Sequence, residues 1–266
     1  MPDQRRIKLD EAVGSFLPIT LEEMDSIKLM NRVDTKYLTD EATLSLVLAD
    51  AAAAGYQALV ADGQRISPYH SVYYDTPELK MFMEHHNRRL PRQKVRTRVY
   101  VNSGDAFLEI KRKNNKGRTR KKRTGIPMDE MEGFLGDQAA KDYLAGHSDY
   151  TAEDLSPELS TDFSRITLVN REKTERLTID TNLEFNNFRN DRKASLPDAV
   201  IIELKQDGRA SSRMKGILLD HRVKPLRISK YCIGVTLTEP TVKSGRFKEK
   251  VRAIEKTTNK KIEVQS

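Results

Sequence analysis

Six strand-length segments of this 266-residue sequence alternate in the same sense. Successive side chains of a strand point to opposite faces. In "KVRTRVYV", Arg96, Arg98 and Tyr100 therefore share one face, and Val95, Thr97, Val99 and Val101 the other. In "AFLEIKRK", Glu109, Lys111 and Lys113 stand together against Leu108 and Ile110. "RLTIDT" sets Arg176, Thr178 and Asp180 against Leu177 and Ile179, and "IIELK" sets Glu203 and Lys205 against Ile202 and Leu204. "SRITLVN" separates Arg165 from Ile166 and Leu168; "RVDTKY" separates Arg32, Asp34 and Lys36 from Val33 and Tyr37. Two architectures fit: an antiparallel sheet with one wet, charged face, or a curved sheet whose charged face is its interior. Arg and Lys in place of Thr and Ser on every strand favour the second. Like charges opposed across a ladder destabilise it unless an anion lies between them. The expectation is an α+β fold: an antiparallel β-barrel tunnel of about eight strands, with helices over its apolar outside.

The tetrapeptide "NSGD" joins the first two of these segments and reads as a hairpin loop. Pairing Val101 with Ala106 would put Arg98 opposite Glu109, Arg96 opposite Lys111 and Val99 opposite Leu108. "ITLEEMDSIKLMN" reads as a helix, opened by a Thr20–Glu23 capping box and striped by Leu21, Met24, Ile27, Leu29 and Met30. "DEATLSLVLADAAAAGYQ" reads as a helix with Asp40 as its N-cap, and "ELKMFMEHHNR", "MDEMEGFLGDQAAKDYLAG" and "SSRMKGILLDHR" are helical in pattern. The tail from Lys243 reads as a terminal helix or a loose end. No repeat and no break in composition divides the chain, so one domain is expected over 1–266, with its core at about 21–237.

The formal net charge of +8 favours an anionic partner. The basic run Lys116–Arg123 has no interleaved aromatics for base stacking, and no helix-turn-helix or RNP pattern is present, so specific nucleic-acid binding is not expected. The single cysteine, Cys232, allows no internal disulfide and reads as packing. With no signal-peptide pattern and no apolar run near the ~20 residues of a membrane span, a cytoplasmic protein is expected. His85 and His86 lack a partner at metal-ligand spacing and read as surface or loop residues. Asp75 reads as a turn cap before Pro77, and Gly117 lacks a P-loop context. Arginine and lysine lining a cavity clamp phosphate oxygens, while carboxylates among them hold a divalent metal that bridges phosphates.

The ordered set "RVDTKYLT", "YYDTPEL", "KVRTRVY", "LEIKRK", "SRITL", "RLTIDTNL", "IIELK" and "ISKY" resembles the VTC (vacuolar transporter chaperone) polyphosphate polymerase domain, within the CYTH or triphosphate tunnel metalloenzyme group. The resemblance runs from Leu21 to Leu237. It implies an eight-stranded antiparallel tunnel that binds triphosphate and a divalent metal, Mn²⁺ or Mg²⁺. It further implies transfer of the ATP γ-phosphate to a growing polyphosphate chain. Lys36, Arg96, Arg98, Lys111, Arg165, Arg176 and Lys205 would line the tunnel. Ser229 and Lys230 would meet phosphate at one end. Glu203 would be the metal ligand, and Glu109 would assist the metal or pair with Arg98. Where triphosphatases of the group open with Glu-x-Glu-x-Lys, this chain has "RVDTK", with Arg32 and Asp34 at the two acidic positions, which leans toward the VTC branch. Phe163 stands where a tyrosine is usual, so a hydroxyl contact is lost. The membrane and phosphate-sensing domains of eukaryotic VTC chains are not expected here. A hydrolase of the same fold, cleaving triphosphate or a nucleoside triphosphate, and a non-catalytic polyphosphate binder are the alternatives. A membrane-protein partner is left open. Leu108–Lys113 is expected as tunnel wall with Arg112 on its outer face, and Asn114–Arg123 as a cationic loop at the rim.

Overall fold

A computed structural model of the chain describes residues 4–25, 27, 29, 32–208 and 211–265. Among these, the helices are α1 (Gln4–Gly14), α2 (Leu21–Asp25), α3 (Glu41–Ala53), α4 (Lys80–His86), α5 (Gln138–His147), α6 (Arg213–Asp220), α7 (Lys230–Thr238) and α8 (Gly245–Thr258). The strands are β1 (Leu17–Ile19), β2 (Val33–Asp40), β3 (Gln57–Leu59), β4 (Ile66–Asp75), β5 (Arg92–Tyr100) and β6 (Asp105–Lys113). They continue with β7 (Thr119–Ile126), β8 (Ser156–Val169), β9 (Glu175–Asn187), β10 (Lys193–Leu196), β11 (Ala199–Gln206) and β12 (Val264–Gln265).

One sheet contains all the strands. Its main path runs β7-β6-β5-β4-β8-β9-β11-β2, antiparallel throughout. β9 serves two partners in sequence: Glu175–Asp180 faces β11, and Leu183–Asn186 faces β10. The eight-stranded path matches the expected strand number. The closed barrel needs correction, because among the described residues β2 and β7 form no ladder with each other. The sheet nevertheless curls on itself. Lys36 on β2 and Lys94 on β5 are separated by β11, β9, β8 and β4, yet they contact the adjacent residues Ile228 and Ser229.

The hairpin register also differs from expectation. Tyr100 pairs with Asp105 and Val99 with Ala106, so Arg96 stands opposite Glu109, Arg98 opposite Phe107 and Lys94 opposite Lys111. The loop takes Val101–Gly104, with Gly104 in the left-handed region at φ 72° and its N–H donating to the Tyr100 carbonyl. The shift is two residues, and side-chain period is also two, so the faces survive while the pairs change.

The apolar faces pack as the alternation implied. Ile166, Leu168, Leu177, Ile179, Ile202 and Leu204 are buried with Leu44 and Leu48 of α3 and Leu218 of α6. Val95, Val99, Leu108 and Ile110 are buried with Leu144 of α5 and Phe134. α3 begins where Asp40 accepts from the Thr43 N–H at 2.9 Å, and the Thr20–Glu23 capping box forms at the start of α2. α2 stops at Asp25, short of the expected stripe; Ile27 and Leu29 follow it without helical structure, and Met30 lies outside the described residues. "MDEMEGFLGDQAAKDYLAG" is helical only from Gln138, preceded by single 3₁₀ turns at Met128–Glu130 and Phe134–Gly136.

α7 does not sit outside. Leu38 and Ile201, which share parity with Lys36 and Glu203 and pair with each other, are buried with Tyr231 and Ile233 of α7. α7 thus floors the interior at that end. Its approach is close: a Cβ at Gly234 would lie 2.4 Å from Leu159 and 2.6 Å from Phe185. Asp75 holds this floor. Its buried carboxylate accepts from the Thr76, Met81 and Phe82 N–H groups, which caps α4, and from the Tyr231 hydroxyl at 2.6 Å.

Candidate functional site

The inner face of the curl carries five of the predicted cations, together with Lys121, in three ion-pair groups. On β5 and β6, Arg96 donates through Nε (2.7 Å) and Nη2 (2.5 Å) to Glu109 Oε2, and Lys121 donates to Oε1. On β8 and β9, Arg165 grips Asp180 through Nε at 2.6 Å and Nη2 at 2.8 Å, and Lys230 from α7 donates to the same carboxylate. On β11 and β2, Lys205 donates to Glu203 Oε2 at 2.8 Å, with Lys36 4.0 Å from Oε1. Each carboxylate is shared by two cations. Burial alone would raise the carboxyl pKa values, but Arg96 lowers that of Glu109, Arg165 and Lys230 that of Asp180, and Lys36 and Lys205 that of Glu203, so all three stay ionised.

Among the described residues, Arg98, Lys94 and Lys111 have no carboxylate at ion-pair distance. Arg98 is 5% exposed, donates through Nε to Ser71 Oγ at 2.9 Å and lies over the rings of Tyr69 and Phe163. Burial, with Arg96 and Arg165 nearby, pulls its guanidinium down to about 10. Lys94 donates to Ser229 Oγ at 2.6 Å, and Ser229 also caps α7. Lys111 is directly opposed to Lys94 and Lys121 across its two ladders. Arg176 stands beside Lys205 on the same face.

All the predicted site residues are thus found on or beside this inner face. The pairing changes for Glu109: it pairs with Arg96, not Arg98, is 2% exposed and has both oxygens hydrogen-bonded to cations. Among the described residues, no three Asp, Glu, His or Cys side chains gather as a metal-binding group. Of the three inner-face carboxylates described above, Glu203 is the one with an oxygen whose nearest cation among the described residues is 4.0 Å away, and it remains partly exposed. Mg²⁺ and similar ions bind through one or two carboxylates together with substrate phosphates. Glu203 therefore fits an ion that arrives with a phosphate ligand.

Lys94, Lys121, Arg123 and Tyr73 were not in the sequence-derived site. Lys94 has the parity of Arg96 and Arg98 and could have been found from it. Lys121 and Arg123 were hidden because Asn114–Arg123 was expected as a loop; the turn ends at Arg118, and β7 begins at Thr119. Arg123 lies 4.7 Å over the Phe107 ring. Tyr73 accepts from Arg96 Nη1 at 3.2 Å and stacks on Tyr231. Burial would raise its phenol, but Arg96, Arg98, Lys230 and Lys94 outweigh that and bring it to about 8. Lys230 is also pulled down to about 8, by burial and by Arg165, which holds both oxygens of their shared carboxylate. Phe163, in place of the hydroxyl-bearing ring, is buried beneath Arg98, Arg165 and Lys230.

The bland expectations divide. Arg112 is on the outer face, paired with Asp149 at 2.7 Å. Cys232 is fully buried. His85 and His86 are not loop residues: both lie on α4, His86 is buried, and His85 Nδ1 is 3.0 Å from Cys232 Sγ.

The family model for the VTC domain matches residues 31–239. No curated protein matches the chain. Among solved structures, the chain is similar to the putative adenylyl cyclase HpAC1 from Hippeastrum, described as having a dominant triphosphatase activity. The identity is 13%, over 77% of this chain and 95% of that one, with a TM-score of 0.48. It is also similar to the PH1819 protein from Pyrococcus horikoshii, with 13% identity over 77% of this chain and 98% of that one, and a TM-score of 0.43.

Proposed function

The chain belongs to the VTC domain family, and on that premise we propose that its inner face binds the triphosphate of ATP and transfers the γ-phosphoryl group to a polyphosphate chain. The observation that carries this reading is Arg98. A buried cation is costly unless paired, and Arg98 is held by one hydroxyl and two rings, with no carboxylate at ion-pair distance among the described residues. An incoming anion supplies the missing charge.

In this reading Arg96, Arg98 and Arg165 clamp phosphate oxygens, and Lys36, Lys111, Arg176, Lys205, Ser229 and Lys230 complete the cradle. A terminal oxygen of the acceptor chain attacks the γ-phosphorus, the bond to the β,γ-bridging oxygen breaks, and ADP leaves with that electron pair. Such transfer needs alignment and charge stabilisation more than proton chemistry. A divalent ion, Mn²⁺ or Mg²⁺, held by Glu203 with phosphate oxygens, would offset charge on the transferring group. Incubation of the full chain with ATP and Mn²⁺ should yield acid-insoluble polyphosphate. Release of orthophosphate alone would assign a hydrolase instead, and polyphosphate binding without turnover would assign a binder.

Arg98→Met is expected to weaken tripolyphosphate binding by roughly ten- to a hundredfold, the worth of one or two charge-assisted hydrogen bonds. Its thermal midpoint should not fall, because an apolar side chain of similar length replaces an unpaired buried charge. Calorimetric binding and a melting curve read both; lost stability with retained affinity would contradict the reading.

The pH dependence has a defined sign. As pH rises through about 8, the folded protein loses the Lys230 proton and the Tyr73 proton, whereas their ordinary values are 10.5 and 10.0. Tripolyphosphate affinity should therefore fall between pH 7 and 9. Over pH 8 to 10 the unfolded chain holds more of these protons than the folded one, so the same two groups raise the stability of the ligand-free protein. Affinity that is flat across pH 7 to 9 would remove both groups from the site.

A further inference from the structure

The inner face of β5 changes character along its length. Lys94, Arg96, Arg98 and Tyr100 stand on it in succession, at intervals of about 6.7 Å. Lys94 meets Ser229, the N-cap of α7, whereas Tyr100 is the last residue of the strand and lies at the end away from that floor. There the row of cations gives way to rings. Tyr100 is paired with Tyr69 of β4, and Phe107 of β6 is paired with Arg98. The Tyr100 ring meets Tyr69 edge to face at 5.0 Å and Phe107 at 5.6 Å. The hairpin loop beside it is open to solvent, with Val101, Ser103 and Gly104 exposed. The rings are not equivalent. Tyr69 stacks on Phe163 at 5.3 Å with Arg165 over it at 4.9 Å, and Arg123 lies over Phe107. Tyr100 is half-buried, and among the described residues no cation lies over its ring and no group hydrogen-bonds its hydroxyl. A ring that served only the core would be enclosed, as Phe163 is.

We propose that Tyr100 stacks on the base of the nucleoside triphosphate, so that the nucleoside lies at the ring end of the inner face and the phosphates run from Arg98 toward α7. The inference rests on the triphosphate site proposed above and adds the half of the substrate which that site leaves unassigned. A nucleoside triphosphate is a polyanion joined to a flat ring system, and β5 presents cations followed by a ring in the same order. Base–aromatic stacking tolerates any base, because every base has a π-face. Tyr100 therefore favours a donor that carries a base over a bare phosphate chain, without choosing adenine among the bases.

Calorimetric binding of ATP and of ribose 5-triphosphate to the full chain tests this, since the two ligands carry the same triphosphate and differ by the base. The unmodified protein should bind ATP roughly tenfold more tightly, the worth of one base–ring stack. Tyr100→Leu should bring ATP to the level of ribose 5-triphosphate and change the latter by less than about twofold. Tyr100→Phe should keep the difference, because the ring and not the hydroxyl makes the stack. Equal affinity for the two ligands in the unmodified protein overturns the base site, whether or not Tyr100→Leu folds. So does a Tyr100→Leu variant that weakens both ligands equally or neither, and so does loss of the difference in Tyr100→Phe; in each case the triphosphate site stands. Failure of the unmodified protein to bind tripolyphosphate overturns both.

Discussion

Asp180→Asn is expected to lower the thermal midpoint by on the order of 10 °C, from a loss of about 3–5 kcal/mol. Asp180 is 3% exposed and accepts from Arg165 and Lys230, both largely buried themselves. Removing the carboxylate charge leaves two cations without a counter-ion where water cannot replace it. An amide of the same shape keeps the packing, so the loss isolates the charge. Saturating tripolyphosphate should recover part of the midpoint, because a ligand that binds only the folded state stabilises it by mass action and now supplies the missing negative charge. Melting curves of the variant with and without tripolyphosphate measure both effects. An equal drop in the two conditions would mean that the Arg165–Lys230 pair does not face the ligand.

Glu203→Gln is expected to reduce turnover of ATP by on the order of 10²–10³-fold while the protein stays folded. The substitution keeps the shape and removes, of the three carboxylates in the inner-face ion-pair groups, the one with an oxygen whose nearest described cation is 4.0 Å away. Binding of Mn²⁺ in the presence of tripolyphosphate, read by electron paramagnetic resonance, should weaken in parallel. Full activity with unchanged Mn²⁺ binding would remove Glu203 from the metal role. Glu109→Gln makes the informative contrast: both Glu109 oxygens are hydrogen-bonded to cations, so it should lose stability without a change in Mn²⁺ affinity.

The two carboxylates show how far the sequence could be read. Glu109 and Glu203 have the same parity signature, each one residue from an apolar partner and two from a lysine, and both were expected to serve a metal. Their difference lies in what reaches them: Lys121 comes from a strand that was read as a loop, and Arg96 arrives through a register two residues away from the expected one. The turn chemistry of "VNSGD" is compatible with both registers. The hydrogen-bonded loop closing on Gly104 selects one.

Alternation is a local property, dictated by the two-residue repeat of an extended chain. Which face of β2, β5, β6, β8, β9 and β11 is charged could therefore be written down from residue order alone, and the abundance of Arg and Lys on it favoured an enclosed side over a wet outer one. The inward aim of Lys36, Arg96, Arg98, Lys111, Arg165 and Lys205 followed without any knowledge of pairing. Pairing, curl and the position of α7 depend on contacts between residues far apart in the chain. Those contacts are what place Lys230 on Asp180, Lys94 on Ser229 and Lys250 on Arg227. Nothing in the run "LRISKYCIGVTL" tells that its helix enters the curl as a floor instead of covering the outside. That follows from Gly234, which has no side chain to hold α7 away from Leu159 and Phe185, and from Asp75, which ties Tyr231 to the end of β4. Strand parity sets which side chains point inward; long-range packing sets which of them meet, and so which cations keep a counter-ion and which are left for a ligand.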